Sequence, residues 1–277
     1  MNLSARLFSL LVPCLAATSC GDGIDISALA QESARGTFER TLTVSGAVDL
    51  SVRTGSGDID IRTGPGDRVQ VIGHIRAGQK LFGDDAAERV RQVEAAPPIQ
   101  QSGSIIRIGD TQDDPRYRDV SIRYELVVPA NTQLNSQTGS GDQTIGSVDG
   151  PVRAHTGSGD IHIERAGGGL AAQTGSGDIR VKAVGGAMTL KTGSGDIEIR
   201  QTVTAGIEAR TGSGDVHLDL PADAAFNLTA RTGSGSIETT HPIQVEGKRR
   251  RNRLGGVVRG GGHPVDVATG SGSIRIR

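Results

Sequence analysis

The sequence predicts an all-β fold, a parallel β-solenoid of about 18 residues per coil, and three observations predict it. First, Thr-Gly-Ser-Gly recurs from Thr54, Thr138, Thr156, Thr174, Thr192, Thr211, Thr232 and Thr269, with spacings from Thr138 onward of 18, 18, 18, 19, 21 and 37. A fixed short period marks units that bury their apolar faces only against their neighbours. Second, a rhythm of nine runs inside that period through Val152, Ile161, Leu170, Ile179, Met188 and Ile197. Each has a partner two residues on (Ile161 with Ile163, Ile179 with Val181), the strand period that puts both side chains on one face. Third, the chain holds 41 Gly, no Trp and only 2% aromatic residues. That composition suits a narrow core of Ile, Val, Leu and Ala turned at glycine corners.

Each nonapeptide therefore reads as a short strand plus a turn, and two make one coil. One corner is Thr-Gly-Ser-Gly; the other carries Gly167-Gly168-Gly169, Gly185-Gly186, then Gly206. A coil built of hexapeptides would have the same period, but a six-residue step from Val152 lands on Ser158 and Glu164. Positions one period apart should sit about 4.8 Å apart on adjacent rungs. The outward columns then alternate in sign, with Arg180 before Glu198, Glu164 before Lys182 and Arg200 before Asp219, as neighbouring strands prefer. One column does not: Asp58, Asp142, Asp160, Asp178, Asp196 and Asp215 stack like on like, at a cost of roughly 1 kcal/mol per neighbour pair in a water-like dielectric. The expected compensation is a bond from each carboxylate to the N–H groups of its own glycine turn, with no ion bound. A bound cation is the alternative.

From the start of the chain, residues 1–19 read as a signal peptide: Arg6, then an apolar run from Leu7 to Ala17 too short to span a bilayer. Ala17-Thr18-Ser19-Cys20-Gly21 resembles a bacterial lipobox, with Cys20 as the lipid-bearing first residue of the mature chain, although Leu is usual where Ala17 stands. Ordinary cleavage after Ala28-Leu29-Ala30 is the rival. Cys14 is removed either way, which leaves no disulfide and no cysteine metal site. Residues 20–36 read as a tether and 37–277 as one domain. In that domain Val48, Leu50, Val52, Ile59 and Ile61 alternate, and Thr63-Gly-Pro-Gly-Asp67 turns the chain. An insertion at about 76–118 leaves the repeat. There Asp85 and Glu88 cap a helix facing Ala86, Val90 and Val93 and ended by Pro97-Pro98, and Ile106 and Ile108 mark a strand. Its expected role is to cover one end or flank of the stack. Val120 to Val128 alternates before Pro129, and the regular rungs follow.

These features, with Gly260-Gly261-Gly262 before the last Thr269-Gly-Ser-Gly-Ser-Ile, resemble the bacterial putative-adhesin family of β-strand-repeat cell-envelope proteins over residues 37–277. The resemblance implies a right-handed parallel β-helix and an envelope location; it implies no mechanism.

The candidate sites are few. The repeat is close to the calcium β-roll nonapeptide Gly-Gly-x-Gly-x-Asp-x-U-x, but Asp178 sits one residue too near the second glycine, and only one corner of each regular coil carries Asp. His162 and His217 share a column three rungs apart, about 14 Å, too far to share a metal. The other histidines, His74, His155, His241 and His263, read as surface positions. No nucleophile elbow, phosphate loop or zinc spacing appears. Lys248, Arg249, Arg250, Arg251 and Arg253 form a basic loop, at about 244–260, able to contact anionic envelope phosphates or nucleic acid and otherwise simply solvated. The long gap around it, from Thr232 to Thr269, reads as one ordinary coil carrying this loop as an excursion. The formal net charge of -1 gives no general attraction to nucleic acid. The expected protein is a non-enzymatic envelope surface module, an adhesin or a spacer, held to a membrane by lipid on Cys20. It needs no cofactor, and its envelope partner is unspecified. Ordinary secretion or a periplasmic location is the alternative to the anchor. A carbohydrate-active β-helix enzyme and a calcium-stabilised β-roll binding module are the alternative functions.

Overall fold

A computed structural model describes residues 33–78, 85–109, 111, 114–201, 203, 205–245 and 250–277. The signal peptide, Cys20, Lys248 and Arg249 lie outside the described residues. The described residues are all-β with one α-helix, and their strands form two large sheets of 11 and 12 strands.

The body of the fold is the regular repeat. Its strands run β8 (Thr132–Ser140), β9 (Gln143–Val148), β10 (Val152–Ser158), β11 (Ile161–Ala166), β12 (Leu170–Ser176), β13 (Ile179–Val181), β14 (Met188–Ser194), β15 (Ile197–Arg200), β16 (Ile207–Ser213) and β17 (Val216–Asp219). Even-numbered strands of this run pair in parallel in one sheet and odd-numbered ones in the other. Val152 lies beside Leu170 and Leu170 beside Met188; Ile161 lies beside Ile179 and Ile179 beside Ile197. Thr174 sits on Thr192, as the repeat requires. Burial alternates strictly, so Val152, Ala154 and Thr156 point in while Arg153 and His155 point out. Each fully buried Ile, such as Ile161, Ile179 or Ile197, contributes roughly 1.5–3 kcal/mol through removal from water. The second corner extends the stack less regularly. Val184 pairs with Ala166 on one side, and on the other the buried Gln201 amide bonds both its N–H (2.9 Å) and its carbonyl (2.8 Å). A side chain here replaces a missing strand.

Before the body come β1 (Ala34–Thr43), β2 (Val48–Ser56), β3 (Ile59–Gly64), β4 (Arg68–Ala77), α1 (Ala86–Ala95), β5 (Ile99–Ser102), β6 (Ile105–Ile108) and β7 (Val120–Pro129). Strands β2 and β3 form a rung of the ordinary kind, with Thr54 on Thr138. Beyond it the sheets turn antiparallel: β7 pairs in parallel with β3, then β4 runs antiparallel to β7 and β1 to β4. On the other sheet β6 lies on β2 and β5 returns against β6. Strand β1 begins at Ala34, inside the stretch expected as tether, because residues 34–43 pair in full register with 68–77. Helix α1 packs on β1 and β4 through Val90 and Val93. Asp85 caps it, accepting the Ala87 N–H at 3.0 Å. Glu88 does not reach back to complete the box; it pairs with Arg91 at 2.7 Å instead. The insertion thus ends the stack, and the T-shaped Phe38–Tyr124 contact lies in that end.

The far end differs from expectation. Strands β18 (Phe226–Ser234) and β19 (Ile237–Thr239) are followed by β20 (Ile243–Val245), β21 (Arg253–Val258), β22 (His263–Ser271) and β23 (Ile274–Ile276). The final rung, β22 and β23, is inserted between the rung of β16 and β17 and that of β18 and β19. The spatial order is therefore Thr211, Thr269, Thr232. The gap is not an ordinary coil with an excursion. Strand β21 adds antiparallel to the free edge of β18 and β20 adds antiparallel to β21; the chain then turns back into a slot with a parallel partner on each side. The antiparallel cover protects the last edge of that sheet, and the slot gives the C-terminal strands two ladders instead of one.

Candidate functional site

The repeated motif builds two bonded columns, and both face the protein itself. The motif threonines are buried, except for the half-buried Thr54. Thr54 donates to the Ile122 carbonyl (2.9 Å), and each later hydroxyl to the carbonyl of the second glycine one rung earlier: Thr156 to Gly141 (3.1 Å), Thr174 to Gly159 (3.0 Å), Thr192 to Gly177 (2.9 Å) and Thr211 to Gly195 (2.9 Å). The inserted rung keeps the pattern, Thr269 bonding Gly214 and Thr232 bonding Gly272. Each such bond contributes about 1 kcal/mol and fixes the register between rungs.

The aspartates form the second column, but their partner is not their own turn. Oδ1 of each accepts the backbone N–H of the next rung's motif residue: Asp58 from Asp142, Asp142 from Asp160, Asp160 from Asp178, Asp178 from Asp196 and Asp196 from Asp215, at 2.7–3.1 Å. Asp215 accepts from Ser273, and Ser273 reaches the N–H of Ser236 at 3.4 Å. A bond to a charged acceptor is worth roughly 1.5–3 kcal/mol, more than the repulsion of about 1 kcal/mol between neighbours. These bonds offset the repulsion between neighbouring carboxylates. Arg180 adds to this, lying 2.6 Å from Asp178 and 3.5 Å from Asp160. Among the described residues no group of three or more His, Cys, Asp or Glu could hold a metal. Asp178→Ala should cost on the order of 1–3 kcal/mol in a thermal melt, because the Asp196 N–H loses its acceptor. Asp178→Asn should cost clearly less, since the amide oxygen still accepts.

The outward columns pair as the spacing indicated: Lys182 with Glu164 at 2.6 Å, Arg200 with Asp219 at 3.7 Å, Arg180 with Glu198 at 3.9 Å. The Lys182 bond, aided by His162, holds the Glu164 carboxyl below its ordinary range. His162 and His217 do occupy one column, with Arg180 and Glu198 between them. Of the basic loop, Arg250, Arg251 and Arg253 are exposed, and Arg250 and Arg253 bond each other's backbone. Phe38, Tyr124 and Phe226 are buried, and the half-buried Tyr117 carries the Arg116 guanidinium over its ring. Among the described residues no aromatic side chain is presented as a platform for a sugar ring.

One cluster was not legible from the repeat. On the exposed face of β1, β4 and β7, Arg35 lies directly opposite Arg76, and Thr37, His74 and Arg123 form the adjacent row. They line an open groove of about 590 Å³ together with Asp58 and Ser121. The sequence signal was faint: Arg or His at alternate, outward positions of strands outside the repeat. Their juxtaposition depends on antiparallel registers that single-chain spacing does not give.

Residues 34–277 match the model of the Toastrack DUF4097 family. No curated protein matches the chain. Similar solved structures include a putative cell adhesion protein from Clostridium sporogenes, 15% identical with a TM-score of 0.32, covering 87% of this chain and 99% of that one. A putative adhesin from Bacteroides fragilis is 10% identical with a TM-score of 0.36, covering 87% and 97%. A putative lipid binding protein from Parabacteroides distasonis is 10% identical with a TM-score of 0.33, over the same shares. The family match takes in every strand described above, so the chain belongs to the Toastrack DUF4097 family, a putative-adhesin family of unknown function with a β-solenoid-like fold.

Proposed function

We propose that this protein is a non-enzymatic surface module of the cell envelope, a right-handed β-solenoid presented as a lipoprotein through Cys20. Its coil in this reading is about 18 residues long. The observation that carries the reading is where the motif's polar groups go. The Thr hydroxyls and Asp Oδ1 atoms, the most repeated chemistry in the chain, are spent on bonds between rungs. Parallel pairing that sets Thr156 beside Thr174 and Thr192 beside Thr211 supports the coil. What remains for contact is flat, charge-paired outer faces that suit an adhesive surface or a spacer. The described residues contain no helix long and apolar enough to cross a membrane, and the lipobox-like Ala17-Thr18-Ser19-Cys20 supplies the anchor in this reading.

Two measurements test it. Cys20→Ser is expected to abolish lipid labelling and release the protein from the membrane fraction. A variant that still sediments with membranes, with a mature N-terminus at Gln31, would overturn the anchor. On intact cells a membrane-impermeant amine reagent should label the exposed Lys182 and Lys191. Labelling only after lysis would place the module on the inner side of the envelope and sink the surface reading.

A further inference from the structure

We propose that the groove of Arg35, Arg76, His74 and Arg123 binds a phosphate group. Like charges directly opposite across two antiparallel strands destabilise the pair, and Arg35 and Arg76 are opposite each other and exposed. Elsewhere on this sheet the outward cations are answered by carboxylates: Arg62 by Asp60, Arg180 by Asp178, Lys182 by Glu164, Arg200 by Asp219 and Arg275 by Asp215, all within 4.0 Å. Among the described residues Arg35 and Arg76 have no such partner. The nearby acids are committed elsewhere. Glu125 holds His74 at 3.2 Å, and Oδ1 of Asp58 accepts the Asp142 N–H, leaving its other oxygen 4.0 Å from Arg123.

Three guanidiniums and an imidazole thus converge with two carboxylates, Asp58 and Glu125, at their Arg123 and His74 side and, among the described residues, none beside Arg35 and Arg76. Guanidinium forks bond phosphate oxygens in pairs, and the negative charge of a phosphate monoester or diester would relieve the Arg35–Arg76 repulsion. The groove is far larger than a bare ion, which suits a phosphate carried on a larger molecule. Arg35 also lies where the chain enters the fold from Cys20. The residues between position 20 and position 33 span at most about 45 Å when extended. A lipid-borne phosphate is therefore within reach of the groove. That placement rests on the anchored reading; the phosphate chemistry does not.

The test uses the full chain carrying Cys20→Ser, so that acylation cannot cause membrane binding. Inorganic phosphate should raise its melting temperature, and phosphatidylglycerol vesicles should sediment it where phosphatidylcholine vesicles do not. Adding Arg35→Gln and Arg76→Gln should cut both effects about tenfold or more, the loss of at least one charge-assisted bond. The same pair of changes should leave the melting temperature without ligand unchanged or higher, since a repulsion is removed; Lys191→Gln, on the other sheet, should change nothing. Protection by inorganic phosphate without vesicle binding assigns the site to a soluble phosphate ester, and vesicle binding lost in the double variant assigns it to headgroups. If neither probe acts on the Cys20→Ser chain, or if the Arg35/Arg76 variant binds as well, the site does not exist. Failure of the anchor would be seen separately, in the membrane fractionation of the unmodified chain.

Discussion

Gly177→Ala is expected to lower the melting temperature by on the order of 10 °C, one of the largest effects of any single methyl group in this protein. Gly177 has φ +142°, a conformation nearly closed to residues with a Cβ. A Cβ built there collides with the backbone carbonyl of Gly159 on the rung before. The clash is with backbone, so it is relieved only by opening the rung spacing or bending the corner. Opening the spacing stretches the Thr174–Gly159 and Asp178–Asp160 bonds across the same gap. Strain of roughly 1–3 kcal/mol plus the clash gives a cost of about 4 kcal/mol. Gly46 is the control: its φ is +75°, but nothing lies within 4 Å of an added Cβ, so Gly46→Ala should cost only about 1 kcal/mol. Equal effects at the two positions would mean that rung contact is not what the motif glycines serve.

Val267→Asp is expected to be comparably severe, and its reach identifies the order of the rungs. Val267 is fully buried, between Ala209 on one side and Ala230 on the other. A carboxylate there has no partner and costs several kcal/mol. Because β22 holds β18 in place, amide protection at Leu228 and Ala230 should fall together with that of Val265. Cysteine pairs check the order independently, in a background without Cys14 and Cys20. Glu208/Asp266 and Asp266/Thr229 are neighbouring positions and should cross-link. Glu208/Thr229 are two strand spacings apart, about 9.6 Å, beyond disulfide reach. Efficient cross-linking of Glu208→Cys to Thr229→Cys would show rungs stacked in chain order.

What the sequence made legible follows from periodicity. Ile179 over Ile197, Thr174 over Thr192, and the Lys182–Glu164 pair are all consequences of one repeat length. The Asp85 cap was legible because capping is local. The order at the C-terminal end was not, since identical Thr-Gly-Ser-Gly corners fit either slot, and the strands β20 and β21 that cover β18 come from a stretch without the repeat. The partner of each aspartate was not either: an own-turn bond and a next-rung bond need the same residue at the same spacing. The Arg35–Arg76 groove lay further out of reach, because antiparallel strands distant in the chain bring it together.

If the repeated motif is an internal ladder that binds no ion, calcium and chelator leave the fold untouched. The most direct measurement is the melting temperature of the protein from excess chelator through rising calcium. The ladder predicts one value throughout, with Asp178→Ala lowering it equally in chelator and in calcium. A melting temperature that climbs steeply in micromolar calcium, falls in chelator and loses this dependence in Asp178→Ala would contradict the ladder and make the aspartates calcium ligands.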